Sequence, residues 1–364
     1  MISRRHLLAG AGLAACRQAK HTGFAGHAFV ANYAGQAIAA VDLTAFAVLR
    51  HIPLPASPTQ LVALNSRPVV LALTPQTGEL HEINAAQLKA ARRFRLGIPV
   101  TGIRCSPGED LWGLSPARQI LRVDLERGQP DFRIHLPAPP VDLVFAPDGK
   151  QAAASLGDSG QIALLQTGQS KPERIVRTGG DIGAMLFRKD GRYLLAADRA
   201  QRQLVIYDLA QGRLVVRLPL AVRPDHLCVS DDGGQLFVTG EGADALVIVY
   251  PYETQVGAFT LAGRAPGAMA ASPDILFITN PQSGDVTIFN IRTQRIMAVT
   301  PVGREPSYIA ITPNNEFALV LNRQSGDLAV LYIAPLSTGR SRFTAPLTRI
   351  PVGSQPVSAV VRAV

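Results

Sequence analysis

The stretch Ser272-Pro273-Asp274, then Leu276-Phe277-Ile278-Thr279-Asn280, then Gln282-Ser283-Gly284-Asp285, then Val286-Thr287-Ile288-Phe289-Asn290 reads as turn, strand, turn, strand. Proline at fixed φ followed by residues tolerant of unusual φ favours the turns. The apolar runs are too short for helices and apolar on both sides, so each must be covered on two faces. Working outward, Val299-Thr300-Pro301 ends a further strand, and Val302-Gly303-Arg304-Glu305-Pro306 links to the next apolar run.

The same grammar recurs along the chain. Corner-ending strands start at Phe29, Val70, Leu111, Ala152, Leu194, Leu236, Leu276 and Ala318, a spacing of about 41 residues. Four short antiparallel strands per repeat of that length is the signature of a propeller blade, and stacking in a ring buries both faces of each small sheet. An all-β propeller of eight four-stranded blades is expected. Seven blades is the alternative, which would turn one copy into a decorated loop, against the even spacing. Ala28–Tyr33 begins as the second strand of a blade, and Val357–Arg362 supplies the missing innermost strand, so the first blade is closed by both chain ends. Pro335–Ala345 is an insertion expected to form an exposed hairpin or loop.

Leu276-Phe277-Ile278-Thr279-Asn280 and Leu236-Phe237-Val238-Thr239, the turns Ser272-Pro273-Asp274 and Ala146-Pro147-Asp148-Gly149, and the links Val302-Gly303-Arg304-Glu305-Pro306 and Val352-Gly353-Ser354-Gln355-Pro356 resemble the YVTN-repeat family of bacterial exported β-propellers. The resemblance covers about residues 26–364 and is degenerate early, where Arg67-Pro68 and Pro107-Gly108-Glu109 replace the turn. It implies a fold shared with lactonase-like and haem-d1-like propellers. It implies no site, because the motif residues build turns and strands.

The N-terminus reads as an address. Arg4 and Arg5 precede a short apolar run with small residues before Cys16, the pattern of a signal peptide. Ser3-Arg4-Arg5-His6-Leu7-Leu8 resembles a twin-arginine export motif. Leu13-Ala14-Ala15-Cys16 resembles a lipobox, with Cys16 the lipidated residue. The expected organisation is signal peptide 1–15, lipidated tether 16–25 and propeller 26–364. An exported, periplasmic, membrane-anchored monomer is expected.

Net charge is +9, and +7 (34 basic against 27 acidic) without the signal segment. A basic surface favours anionic partners. The one dense cluster, Lys89, Arg92, Arg93 and Arg95, falls on an outer strand where charge guards a sheet edge, without the aromatic platform of a nucleic-acid binder. No nucleic-acid partner is expected. Cys105 and Cys228, on innermost strands of different blades, read as small buried residues. With no clustered Cys/His set, no metal site is expected.

Ligands of propellers gather at one mouth of the channel, where the innermost strands begin. The polar residues there are Gln60, Thr101, Asp142, Asp181, Asp225, His226, Ser307 and Tyr308. Arg223, Arg264 and Arg304 stand in three consecutive links. They read either as an anion-binding arc or as loop caps paired with Asp225 or Glu305. His226 beside Asp225 invites a general-base reading, an axial-ligand reading or a plain structural one. His51, His81 and His135 read as surface residues, and Trp112 as core packing. Three functions compete: a binding or scaffolding module for a protein or small anionic ligand, a lactonase-like hydrolase, and a haem-binding or haem-maturation propeller. No cofactor is required by the first. The third would take non-covalent haem, since no CxxCH is present.

Overall fold

A computed structural model describes residues 23–337 and 345–363; the proposed signal segment, Cys16 and most of the proposed tether lie outside them. The chain forms eight four-stranded antiparallel sheets. Blade 1 comprises Gly26–Asn32, Ala37–Asp42 and Ala47–Pro53, with Pro356–Ala363 as its innermost strand. Blades 2 to 8 follow in order over residues 60–95, 102–135, 142–177, 182–219, 226–261, 269–301 and 306–351. Innermost strands of neighbouring blades touch around the ring. The even spacing of the repeat is therefore one blade per copy.

The core lies between the blades. Leu246 and Ile248 of blade 6 pack against Leu276, Ile278 and Phe289 of blade 7. Phe29, Ala31 and Ile38 of blade 1 pack against Leu61, Val70 and Ile83 of blade 2. No blade carries a core of its own, so the hydrophobic gain is realised by stacking.

Closure follows the pairing Gly26↔Ala363 through Ala31↔Ser358, with a bulge before Asn32↔Pro356. The closing strand is also stitched to both neighbours. Ser358 Oγ accepts from the Leu61 amide at 3.1 Å, and Tyr308 Oη donates to the Ala359 carbonyl at 2.8 Å.

One contact joins two parts of the repeat motif. The corner asparagine reaches back to the link before its own blade. Asn32 Nδ2 donates to Val352 O at 2.7 Å, and Asn322 Nδ2 donates to Val302 O at 3.2 Å. A Cβ on Gly303 would lie 2.5 Å from Asn322, and one on Gly353 2.9 Å from Asn32. The glycine of the link is thus the seat of the corner asparagine, which holds the mouth loops in place.

Three expectations change. His81 is buried at 3% exposure, because its strand Glu79–Asn84 is the third of its blade and is covered on both faces. Cys105 and Cys228 are half-buried, because innermost strands border the channel. The insertion after blade 8's third strand begins as a helical turn, Ala334–Ser337, with Leu336 buried, and residues 338–344 lie outside the described set. Trp112 is in the core, edge-on to Phe132.

His81 carries a pH prediction. Burial pushes its imidazole below the ordinary 6.5, Glu79 opposes this and Arg93 adds to it. The native state then binds that proton more weakly than the unfolded chain. Stability is unaffected well above pH 6.5 and falls as pH drops from 6.5 toward the depressed value. His81→Gln is expected to flatten this part of the acid slope in thermal melts taken from pH 7 to 5. An unchanged slope would remove His81 as a cause.

Candidate functional site: the channel mouth

The mouth is built from three parts of each repeat: the link, the start of the innermost strand, and the corner after the second strand. Antiparallel pairing brings the last two together, as in His226↔Thr239. A proline stands two residues before Gln60, Asp142, His226, Tyr308 and Ser358, so these five hold one equivalent position in five blades.

Four of the five are spent on the ring. Gln60 Oε1 accepts from the Ile103 amide at 2.9 Å, and Asp142 Oδ2 accepts from the Met185 amide at 3.3 Å. Ser358 and Tyr308 make the stitches given above. Each bond crosses to the next blade's innermost strand. Burial pushes the Tyr308 phenol above its ordinary pKa, and the bond to Ala359 opposes this only in part. His226 is the exception. It is exposed, and its side chain makes no hydrogen bond among the described residues. The ring wall around it still pushes its pKa below 6.5 by desolvation, with Asp225 opposing. At neutral pH it therefore presents an uncharged imidazole to the mouth.

The acidic candidates are all engaged by arginines. Asp142 Oδ1 accepts from Arg104 Nε at 3.1 Å and Nη2 at 2.7 Å. Asp181 Oδ1 accepts from Arg199 Nη2 at 2.7 Å. Asp225 pairs with Arg223 Nε at 3.2 Å and turns its other oxygen to the Glu241 amide. Asp225 and His226 share no hydrogen bond among the described residues, so no carboxylate orients the imidazole. Among the described residues no group of three or more His, Cys, Asp or Glu could hold a metal ion.

The three link arginines divide. Arg223 is tied to Asp225 and, at 3.0 Å, to Glu241. Arg264 and Arg304 are exposed, and neither guanidinium has a partner among the described residues. Glu305 pairs with Arg323, not with Arg304. The candidates are thus on one face, but the uncommitted ones are His226, Arg264 and Arg304, on the three consecutive blades 6 to 8. A groove of about 320 Å³ opens between His226 and the link Ala265-Pro266-Gly267. Another of about 580 Å³ lies on the same face between blades 8 and 1, bordered by Glu305, Arg323 and Ser354.

Sequence reading missed Arg104 and Arg199. Arg104 had a signal, a charge inside an innermost strand whose counterparts in other blades are apolar. Arg199 had none, because its partner Asp181 is 18 positions away.

These elements define an eight-bladed β-propeller with a polar mouth. No family model matches the chain, and no curated protein matches it. Among solved structures it is similar to "Dihydro-heme d1 dehydrogenase NirN in complex with DHE", with TM-score 0.76 and 14% identity, over 92% of this chain and 75% of that one. It is also similar to Kuenenia stuttgartiensis hydrazine synthase, with TM-score 0.59 and 15% identity, over 75% of this chain and 98% of that one. At such identities the likeness is one of fold.

Proposed function

We propose that this chain is a binding propeller, exported and lipid-anchored through Cys16, that takes a small anionic ligand at the mouth marked by His226, Arg264 and Arg304. The observation that carries the reading is the charge left over. Asp142, Asp181 and Asp225 are each neutralised by an arginine, while Arg264 and Arg304 have no partner among the described residues. The planar fork of a guanidinium matches carboxylate or phosphate bidentately, and these two are not taken up by a carboxylate. The groove beside His226, about 320 Å³, is at the lower end of the usual ligand-pocket range. The YVTN-type motifs are in keeping with a bacterial exported propeller.

The topology is compatible with the anchor. The chain enters at Gly26, paired with Ala363, while the mouth is at the Asn32 end of the same strand. A tether from Cys16 would present the mouth away from the membrane. A lactonase-like hydrolase is the weaker reading, because the carboxylates it would use as acid or base are held in ion pairs.

Calorimetric titration with inorganic phosphate and with citrate tests the proposal. Arg264→Ala and Arg304→Ala are each expected to weaken binding by about tenfold, the equivalent of one lost charge-assisted contact. Phosphate, which stays a monoanion there, should bind more tightly as pH falls below the depressed His226 pKa and the imidazole gains charge. No binding of either anion, or binding indifferent to both arginines, would overturn it.

The haem reading is favoured by one feature, a neutral, accessible imidazole in a fold similar to a protein solved in complex with DHE. The residues fit in part: His226 could serve as an axial ligand and Arg264 and Arg304 could meet propionates. The visible spectrum of protein purified from its native membrane discriminates. A Soret band abolished by His226→Ala would favour haem over a free anion.

A further inference from the structure

The innermost strands are sheet edges, so they also present backbone groups to the channel. In blade 7 the Thr279 amide donates to Ala268 O at 2.9 Å, which makes Ala268 and Thr279 a hydrogen-bonded pair. Bonded and open pairs alternate along an antiparallel ladder. Met269, opposite Ile278, is therefore in an open pair and turns its N–H away from the sheet. Ala271, two residues on, does the same, and its amide meets the Cys228 thiol of blade 6. An N–H turned this way needs an acceptor from the preceding blade or from outside the protein. Three blades supply one from the position equivalent to His226. Ser358 Oγ, Gln60 Oε1 and Asp142 Oδ2 accept from the amides of Leu61, Ile103 and Met185, each one blade further round the ring. In blade 6 that position is His226, whose side chain makes no hydrogen bond among the described residues. The Met269 amide is thus left without the side-chain acceptor that its counterparts have.

Asp142 shows what chemistry this place takes. One of its carboxylate oxygens accepts from the Met185 amide at 3.3 Å, and the other from Arg104 Nη2 at 2.7 Å. The junction of blades 6 and 7 offers a matching set of donors without a carboxylate of its own. Met269 brings the amide, His226 a ring N–H, and Arg264 stands five positions before Met269 in the link to the same strand. We propose that a carboxylate of the ligand does here what the Asp142 side chain does between blades 4 and 5. One oxygen accepts from the Met269 amide and the other from the His226 imidazole, while Arg264 supplies the opposite charge. This rests on the reading of the mouth as an anion site, and it names the group that the site takes and the backbone donor that orients it. A charge-assisted bond to a backbone N–H is stronger than the bond to water that it replaces. The uncapped amide also explains why His226 alone of the five equivalent residues is free: the acceptor for blade 7 comes from the ligand.

The test is amide hydrogen exchange of the full chain carrying Cys16→Ser, read residue by residue by NMR, with citrate as the probe. In the free protein the Met269 amide is expected to exchange at least about tenfold faster than that of Ile103, which Gln60 covers. Saturating citrate is expected to slow Met269 by about tenfold or more and to leave Ile103 unchanged. His226→Gln installs the side chain that Gln60 uses, with no change of charge at neutral pH. It is expected to slow the Met269 amide in the absence of citrate and to weaken citrate binding by about tenfold. A Met269 amide that is as slow as Ile103 in the free parent overturns the proposal. So does a His226→Gln chain in which Met269 is slowed and citrate binds as before. Citrate that binds through Arg264 and leaves Met269 exchange unchanged overturns this assignment and keeps the anion site. No citrate binding at all overturns both.

Discussion

Deleting residues 355–364 is expected to abolish the cooperative thermal transition or lower its midpoint by more than about 15 °C. The deletion removes the innermost strand of blade 1, Pro356–Ala363, and with it the ladder to Gly26–Asn32. Phe29, Val30 and Ala31, fully buried in the intact ring, lose cover. The Ser358 and Tyr308 stitches to blades 2 and 8 go as well. A strand in a closed ring is held from three sides, so these losses fall together. Domain stability as a whole is only about 5–15 kcal/mol, and at about 2.1 cal/mol/K of unfolding entropy per residue each kcal/mol moves the midpoint of a chain this size by about 1–2 °C, so a loss of most of that stability is expected. The measurement is circular dichroism against temperature, with residues 355–364 then supplied as a peptide. Recovery of the transition by the peptide would tie the loss to closure. A truncated chain that melts like the parent would sink the closure account.

Phe237→Ala is expected to cost about 3–5 kcal/mol, the usual range for a fully buried phenylalanine truncated in a core that cannot collapse. Phe237 has no exposed surface and sits edge-on to Phe289 of blade 7, with ring centroids 6.1 Å apart at 72°. That edge-to-face contact adds to the burial. Urea unfolding followed by fluorescence or circular dichroism checks the magnitude. Phe259→Ala, on the exposed outer strand of the same blade, is expected to change stability by no more than about 0.5 kcal/mol. Equal effects at the two sites would mean that stacking between blades is not what holds the ring.

Much of this architecture is written locally, which explains why it could be read. A corner such as Thr279-Asn280, a Pro-Asp turn and a Gly-x-x-Pro link each depend on the φ preferences and hydrogen-bonding groups of a few adjacent residues. Repetition then lets a weak signal be read eight times. The degenerate copies at Arg67-Pro68 and Pro107-Gly108-Glu109 fall into blades on spacing alone. His81 was misread because being near a strand end says little about the faces of a sheet. Its burial comes from neighbouring blades that the local pattern does not contain.

The amino-acid sequence by itself determined the repeat, the strand order within each blade, the count of eight and the closure by both chain ends, because all of these rest on short-range periodicity and turn chemistry. Only the tertiary structure decided which mouth residues are free. Asp142 meets Arg104, Asp181 meets Arg199 and Tyr308 meets Ala359, while His226, at the equivalent position, makes no hydrogen bond among the described residues. Whether a polar side chain is spent on the scaffold or left for a ligand depends on which donors the ring brings within about 3 Å. Those partners lie 18 to 51 positions away in the chain, and two of the three stand in a neighbouring blade.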